Sequence, residues 1–288
     1  MRAQNPFFWP FQQLANGILS VGHADDQTYW DAPALDRAAP MVQRIGFGDL
    51  GAALADGVAD FSKTRADAVL LIVILPIVGL CVTLLAAGHG YADLIFPLFS
   101  GFVLVSPISA FAFYEMSRRL EANQQARWYD ALGVLASPAI GSVALLSLTL
   151  ISLFILWMGT ANFLFVAFTG KPHALAFGPL LLHALTTLNG WGLIVTSFGI
   201  GFVFAVIVLA LSVVSFPMVL DRPVGFVTAI GTSLRAFALN AGPLLAWGLI
   251  VALGLALGCA FLLVGLVVVL PILGHATWHL YRRLVRWD

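Results

Sequence analysis

The apolar run "AGPLLAWGLIVALGLALGCAFLLVGLVVVLPILGHATWHLY", residues 241–281, contains no charged side chain. As a single helix it would be about 60 Å long at 1.5 Å per residue, roughly twice the hydrocarbon core of a bilayer. The chain must therefore fold back within this run. We predict two membrane-spanning helices, over 241–258 and 261–281, joined by a turn around Gly258 and Cys259.

The rest of the chain has the composition of a polytopic membrane protein. Hydrophobic residues make up 60% of the 288 residues and charged residues 10%, whereas about 25% of a soluble domain is charged. The net charge is zero, so nothing points to nucleic acid. Cys81 and Cys259 lie in apolar runs, and we expect buried free thiols rather than a disulfide. The first long apolar run begins near residue 68, too late for a cleavable signal peptide.

Six apolar runs are long enough to cross a membrane, since one crossing needs about 20 residues. Residues 1–44 are polar and irregular, which predicts a cytoplasmic tail that is disordered or bound at the membrane interface. Its aromatic start, "FFWPF" at 7–11, leaves open a docking segment for a partner. The membrane domain then covers 45–288. The predicted spans are 67–88, 94–117, 138–160, 190–219, 241–258 and 261–281.

The distribution of basic residues orients these spans. With the amino terminus in the cytoplasm, every one of the 14 Lys and Arg residues except Lys171 falls in a cytoplasmic segment. Cytoplasmic loops of membrane proteins carry such an excess of positive charge. The sequence therefore predicts a multi-pass protein with both termini in the cytoplasm and an outer face that is almost uncharged.

Two pairs of segments indicate an internal repeat. "PISAFAFYEMSRRLE" at 107–121 aligns without a gap with "PILGHATWHLYRRLV" at 271–285. "IGFGDLGAALADGVADF" from 45 aligns with "VGFVTAIGTSLRAFALN" from 224, and both carry apolar residues at helical spacing. We predict an all-α fold of three pseudo-repeated hairpins, each preceded by a cytoplasmic amphipathic helix. The apolar positions of the two helices are Phe47, Leu50, Leu54, Val58 and Phe61, and Phe226, Ile230, Leu234 and Phe237.

His275 and His279 are the first candidate site residues, because side chains four apart share one helix face. Two such imidazoles could bind a metal or half of a haem site, although a catalytic metal needs a third ligand. The alternative is an interfacial polar belt beside Trp278. Glu115 occupies the position in the repeat that corresponds to His279, so one hypothesis pairs these two side chains. The simpler alternative is an ion pair of Glu115 with the arginines at 118 and 119.

The outer connection 161–189 is a second candidate region, because it is too apolar for an ordinary loop. We expect an interfacial or re-entrant helix around 173–188. Polar atoms at membrane depth are costly unless buried in protein or lining a cavity. They serve either capping and packing or a cavity for a lipid or quinone. The polar candidates here are Asn162, His173, His183 and Asn189.

A third pattern concerns helix packing. Gly254 and Gly258 form a GxxxG pair, and Gly242 and Ala246 extend the small residues along the same helix. Small residues allow close contact between helices, within the chain or with another chain. The sequence contains no phosphate-binding loop, no nucleophile elbow and no acidic pair at the centre of a span. We therefore predict no catalytic residue, no metal site and no enzyme activity.

The stretches "RIGFGDLGAALADGVADF", "FAFYEMSRRLE" and "LPILGHATWHLYRRLV" resemble a family of bacterial integral membrane proteins, domain of unknown function twenty-one eighty-nine. The resemblance covers about 44–286, and "GHATWHLYRRLV" at 274–285 is its most specific part. It implies a location in the bacterial inner membrane and supplies no reaction. Some members carry a label that resembles an oxidase subunit, but a haem–copper core needs many histidines within its spans.

Three functions are consistent with these patterns. The first is a non-catalytic accessory, assembly or scaffold subunit of a membrane complex, for example a respiratory one. Its partners would be membrane lipids and other integral membrane subunits. The second is a transporter or lipid-handling protein for an apolar or neutral substrate. The third is a haem- or metal-binding protein that uses His275 and His279; the first function requires no cofactor.

Overall fold

A computed structural model of the protein describes residues 40–64, 95–127, 139–170, 177–260 and 265–287. Most of these residues are helical. The predicted span 67–88 and tail residues 1–39 lie outside the described residues. The elements are β1 (Pro40–Val42), α1 (47–64), α2 (Ile95–Glu121), α3 (Ile140–Thr169), α4 (Phe177–Thr186), α5 (Leu188–Ser212), α6 (Ser215–Asp221), α7 (Phe226–Leu239), α8 (Ala241–Ala260), α9 (Leu266–Leu284) and β2 (Val285–Trp287).

Three stretches within the described residues are long and apolar enough to cross a membrane: Ile140–Thr169, Leu188–Asp221 and Ala241–Cys259. They fall on the predicted spans 138–160, 190–219 and 241–258. The second comprises α5 and α6, which are separated at residues 213–214. Pro217 explains this break, because a proline has no N–H to donate to the carbonyl four residues earlier.

Helices also occupy the predicted spans 94–117 and 261–281, as α2 and α9. The turn before α9 differs from the prediction. Helix α8 continues to Ala260, so the chain does not turn around Gly258 and Cys259. A Cβ on Gly258 would lie 2.7 Å from Leu266 Cδ2 and 3.1 Å from Leu266 N. The glycine is therefore needed for close packing of the two helices rather than for the turn.

The described residues form two compact units. The first contains residues 40–64, 107–127, 139–148, 209–260 and 265–287, and the second contains 95–106, 149–170 and 177–208. Trp157 is buried in the second unit, where its ring packs on Phe204 with centroids 5.6 Å apart. Its Nε1 donates to the carbonyl of Pro97 at 3.1 Å. The polar edge of this buried indole is thus satisfied, as buried tryptophans require.

A short antiparallel sheet joins distant parts of the chain in the first unit. Pro40 of β1 lies opposite Trp287 of β2, and Val42 lies opposite Val285. The boundary predicted at residue 44 is therefore wrong, because residues 40–44 belong to the folded part. The fold is also not purely helical. The backbone N–H and C=O groups of β1 and β2 hydrogen-bond to each other. This pairing orders the two segments, although their irregular sequence does not predict strands.

Asn240 extends this connection to the junction between α7 and α8. Its Oδ1 accepts from the amide of Ile45 at 2.9 Å, and its Nδ2 donates to the carbonyl of Gln43 at 3.0 Å. Asn240 is buried. Asn240 therefore holds the start of α1 against the junction that precedes the span Ala241–Cys259.

The strand pair also constrains the topology. Because β1 and β2 are hydrogen-bonded, residues 42 and 285 lie on one side of the membrane, and the chain crosses it an even number of times between them. Ser142 at the start of α3 donates to the carbonyl of Val224 at 3.2 Å, so this helix begins where α6 has just ended. The three spans found among the described residues are an odd number, so an even total needs at least one further crossing. Six spans remain a prediction.

Helices α1 and α7 bury only part of the predicted apolar face. Phe47 and Val58 of α1 and Leu234 of α7 are exposed, although they belong to the same apolar pattern as the buried Leu50. Apart from Leu50, the buried positions carry small and polar residues, because these allow close approach to neighbouring helices. They coincide in the register of the predicted repeat: Leu50 with Ala229, Ala53 with Thr232, and Gly57 with Ala236.

Candidate functional site

Five polar side chains from three helices meet in the first unit, and we call them the His–Asp cluster. Asp60 and Thr64 lie on α1, Ser117 on α2, and His275 and His279 on α9. Four of them are buried, and His275 and Ser117 have no exposed surface. The side chain of His279 is 18% exposed and connects the cluster to the protein surface.

The cluster forms a continuous line of hydrogen bonds. Thr64 Oγ1 lies 3.2 Å from His275 Nε2, and His275 Nδ1 lies 2.7 Å from Ser117 Oγ. Ser117 Oγ donates to Asp60 Oδ2 at 2.8 Å. The same oxygen of Asp60 lies 2.7 Å from His279 Nε2. The line runs from the buried end of α1 to an imidazole at the surface.

The hydrogens of the cluster can be assigned from these contacts. The single hydroxyl hydrogen of Ser117 is directed to the carboxylate of Asp60, so the Ser117 oxygen accepts from Nδ1–H of His275. His279 donates its Nε2–H to the same carboxylate. In a nucleophilic triad the imidazole lies between hydroxyl and carboxylate. Here the hydroxyl lies between them and is buried, which supports a connecting role rather than nucleophilic attack.

Asp60 is charged within this environment. Burial by itself would raise the pKa of its carboxyl group, but the hydrogen bonds from His279 and Ser117 and the nearby imidazoles outweigh burial and hold the pKa below its ordinary value of 3.8. Lys63 adds a cation 3.7 Å away. The carboxylate is therefore the acceptor on which α1, α2 and α9 converge.

Two glycines bring the three helices close enough for these bonds. A Cβ on Gly57 of α1 would lie 2.7 Å from Ala276 Cβ and 2.8 Å from the carbonyl oxygen of Ile272. A Cβ on Gly274 of α9 would lie 2.7 Å from Phe113 Cβ of α2. Asp60 follows Gly57 by less than one turn, so close backbone contact places its short side chain against α9.

A second set of contacts surrounds the last two turns of α9. Asp221 accepts from Tyr281 at 2.7 Å, from Arg282 at 3.1 Å and from Trp287 at 3.1 Å. Arg282 also donates to Glu121 at 3.1 Å, and its guanidinium lies 5.7 Å from the centre of the Trp278 ring. The end of α9 is in this way bound to the ends of α2 and α6.

Arg283 completes this arrangement toward α1 by donating to Asp56 at 2.7 Å. Beside it lies an open surface cleft of about 240 Å³. Through this cleft the His–Asp cluster is accessible from the protein surface. Its lining residues are Asp56, Ala59, Asp60, Lys63, Leu120, Glu121 and His279.

The proposed pairing of Glu115 with His279 does not occur. Glu115 instead accepts from Arg118 and Arg119 on its own helix, at 2.7 to 2.8 Å. His279 contacts Asp60 because α1, rather than α2, lies against this turn of α9. The alternative prediction of a local ion pair with Arg118 and Arg119 describes the observed contacts.

His275 and His279 share one face of α9 but do not converge on a common point. Both ring nitrogens of His275 contact hydroxyl groups, and His279 Nε2 contacts a carboxylate. Within the ranges that the structure describes, no group of three or more His, Cys, Asp or Glu side chains is arranged to hold a metal ion. These contacts give no support to a metal or haem site at the two histidines.

The outer connection contains the expected helix, observed as Phe177–Thr186 within the predicted range 173–188. Asn162 Oδ1 and His183 Nε2 are buried there without a hydrogen-bond partner among the described residues. Asn189 is exposed. His173 lies outside the described residues.

The four predicted packing residues of α8 differ in their surroundings. A Cβ on Gly254 would touch Leu273 and Val269 of α9 at 3.3 Å, and Gly258 is closer still to α9. Gly242 is exposed, with nothing within 4 Å of a Cβ, because it lies at the start of α8 away from the hairpin contact. Ala246 is partly buried. The GxxxG pair packs within the chain, and the extension of that face to Gly242 is not observed.

Sequence reasoning missed Asp60, Thr64, Ser117 and Asp221 as members of the site. A signal for α1 was present: Ala53, Gly57, Asp60 and Thr64 recur at three- and four-residue spacing, which is typical of a packing face of small residues. The larger apolar side chains of α1 indicated a different face. Asp221 and Ser117 carry no such pattern.

Comparison with known proteins agrees with this architecture. Residues 95–221, from α2 to α6, match the model of a family described as "Predicted integral membrane protein (DUF2189)". The match is shorter than the predicted resemblance over 44–286, and "GHATWHLYRRLV" lies outside it. No curated protein and no solved structure matches the chain. Residues 95–221 are thus similar to this family of predicted integral membrane proteins, the same family that the sequence resembles.

Proposed function

We propose that the protein is a non-catalytic accessory, assembly or scaffold subunit of a complex in the bacterial inner membrane, for example a respiratory complex. One observation carries the proposal: an exposed stripe on α3 with a glycine at its centre. Ile155 and Phe163 are 63% and 70% exposed. Gly159 lies one turn from each and is also exposed, and a Cβ at this position would have no atom within 4 Å.

Exposed apolar side chains alone need no protein partner in a membrane, because lipid tails are as apolar as leucine. A glycine between large side chains is different, since it provides a notch that admits the backbone of another helix. Only 22% of the most apolar part of α3 is buried within the chain. The stripe therefore suits a helix of another subunit.

The polar interior supports a structural role. The cluster carboxylate Asp60 is bound to Ser117 and His279, and Asp221 is bound to three donors. A site for chemistry would leave a reactive group directed at a substrate. These groups are instead directed at one another, and their effect is to hold helix ends together.

Orientation follows from the same region. Basic side chains of α2 and α9, including Arg118, Arg119, Arg282 and Arg283, lie with the strand pair at one end of the first unit. By the positive-inside rule this end faces the cytoplasm. We therefore place residues 40 and 287 on the cytoplasmic side of the inner membrane.

Native purification tests the proposal. The protein is extracted from its own membranes in a mild detergent, and the mass of the intact particle is measured by native mass spectrometry. We expect a stoichiometric second protein. Gly159→Trp should remove it by filling the notch, whereas Leu249→Trp, at an equally exposed position of α8, should retain it. A wild-type particle that contains only this chain and lipid would contradict the proposal.

A second function, lipid handling or transport of a neutral substrate, is favoured by the two unpartnered atoms in the second unit. Buried polar atoms usually have a partner, and Asn162 Oδ1 and His183 Nε2 have none in the described structure. A bound lipid headgroup would supply one. The double variant Asn162→Leu, His183→Leu should then carry less co-purified lipid than Asn189→Leu. Equal lipid content in the two variants would contradict this function.

A further inference from the structure

We propose that α1 and α7 lie in the membrane interface, with their exposed apolar sides in the acyl-chain boundary of the cytoplasmic leaflet. The partner of this surface is lipid, and the proposal is independent of any partner subunit.

The first argument is the division of each helix into faces. The buried face of α1 is formed by small residues and the His–Asp cluster, and its apolar residues lie beside that face. Phe47 is 67% exposed and Val58 is 50% exposed. In α7, Val227 and Leu234 are 60% and 44% exposed. Side chains of this size are rarely left in water in neighbouring positions of two helices.

The second argument is the position of the two helices relative to the membrane surface. Only Asn240 separates α7 from the span Ala241–Cys259, so the carboxyl end of α7 lies at the membrane surface. Asn240 also binds the backbone of Gln43 and Ile45, directly before α1. Helix α1 therefore begins at the same level.

The third argument is continuity of the apolar surface. Leu239, the last residue of α7, is exposed, and the span that follows exposes Leu245, Leu249 and Leu253. Apolar side chains are thus exposed on both sides of the junction between α7 and α8. An amphipathic helix at this level buries its apolar side about 5–10 Å below the headgroups.

The charges of α1 do not oppose this placement. Its three aspartates would repel anionic lipid if they were free, but each has a partner in the chain. Asp49 accepts from the amide of Gly46, Asp56 from Arg283, and Asp60 from Ser117 and His279. The exposed cation Arg235 remains available to lipid phosphates.

Spin labels on single cysteines test the placement. In full-length protein with Cys81→Ser and Cys259→Ser, cysteines are introduced at Val58 and Val227. The matched controls are the adjacent exposed residues Ala59 and Thr228, which lie about 100° further around each helix. Each protein is reconstituted into vesicles of phosphatidylethanolamine and phosphatidylglycerol, and the collisions of the label with oxygen and with a water-soluble nickel chelate are measured.

We expect oxygen to dominate at Val58 and Val227, with depths about 5–10 Å below the headgroups and similar for both helices. Nickel should dominate at Ala59 and Thr228. Equal access of nickel to all four labels would overturn the proposal, because the apolar sides would then face water. Immobile labels at Val58 and Val227 that neither reagent reaches would also overturn it, since protein would cover the surface.

Discussion

The two helix ends that align in sequence, 107–121 in α2 and 271–285 in α9, use the same residues for different contacts. Arg118 and Arg119 of α2 bind Glu115 on their own helix. Arg282 and Arg283 of α9 bind Glu121, Asp221 and Asp56, which lie on other helices. The first pair stabilises a turn, whereas the second connects helix ends.

The difference arises from one position in this alignment. Glu115 supplies a local carboxylate to the arginines of α2, while the corresponding residue of α9 is His279, which offers no negative charge. The arginines of α9 must therefore find acceptors elsewhere. A carboxylate in one segment and an imidazole at the aligned position of the other thus distinguish a local contact within one helix from a tertiary contact. Substitutions of these residues and of their partners test this comparison.

Asp60→Ala should have the largest effect. It removes the acceptor shared by Ser117 and His279 and leaves buried polar groups without partners, at a cost of about 3 kcal/mol in stability. Thermal unfolding in a mild detergent, followed by tryptophan fluorescence, measures the loss. Asp60→Asn keeps an acceptor oxygen and should lose less. Glu115→Ala, the matched change in α2, should also lose less, because its arginines can turn to water; an equal loss would contradict the comparison.

Asp221→Ala should rank second. Three donors from the α9 end lose their acceptor, including the buried Tyr281 hydroxyl, which predicts a loss of about 2 kcal/mol. The same unfolding assay measures it. Asp221→Asn retains one acceptor oxygen and should recover part of the stability. If Asp221→Ala unfolds like wild type, the contacts around the α9 end do not hold the helices together.

Arg282→Ala should have an intermediate effect, about 1 kcal/mol, because this residue joins two carboxylates and packs over Trp278. Arg118→Ala should change stability by less than about 0.5 kcal/mol, as expected of a partly exposed pair within one helix. The ratio of the two losses in unfolding free energy compares the tertiary contacts of Arg282 with the local contact of Arg118. A larger loss for Arg118→Ala would reverse the assignment of local and tertiary roles.

Acid should produce the smallest effect. The folded-state pKa of Asp60 lies below its ordinary value of 3.8, so its stabilising contribution is present above that value. It is lost as the pH falls through the folded pKa. As the pH is lowered from about 6 to about 3, the difference in unfolding temperature between wild type and Asp60→Asn should therefore stay constant down to about pH 4 and then narrow. A constant difference over this range would show that ionised Asp60 contributes nothing.

Three of the six predicted spans and the crowding of basic residues at one end could be predicted from sequence, because hydropathy and charge are local properties. The helices at 95–121 and 266–284 followed from the same reasoning. The face buried by α1 did not. Side-chain size pointed to Phe47 and Val58, but in a membrane protein lipid accepts such residues, and small residues mark the protein contact.

The contacts within the site could not be predicted from the sequence, for a different reason. Asp60 and His279 are separated by 219 residues, and Asn240 and Ile45 by 195. Periodicity shows that a residue is on a given helix face but not which other helix meets it. The strands at 40–42 and 285–287 are too short to show alternation, so their pairing left no trace in the pattern.

The position of α9 in the chain has a consequence for biosynthesis. Helix α9 follows all the other described helices, yet it carries partners of Asp56, Asp60, Glu121 and Asp221. While the ribosome is still making the last turns of α9, these four carboxylates lack the donors that this helix supplies. Completion of the helix provides those donors together, so these contacts form only after the other described helices have been made.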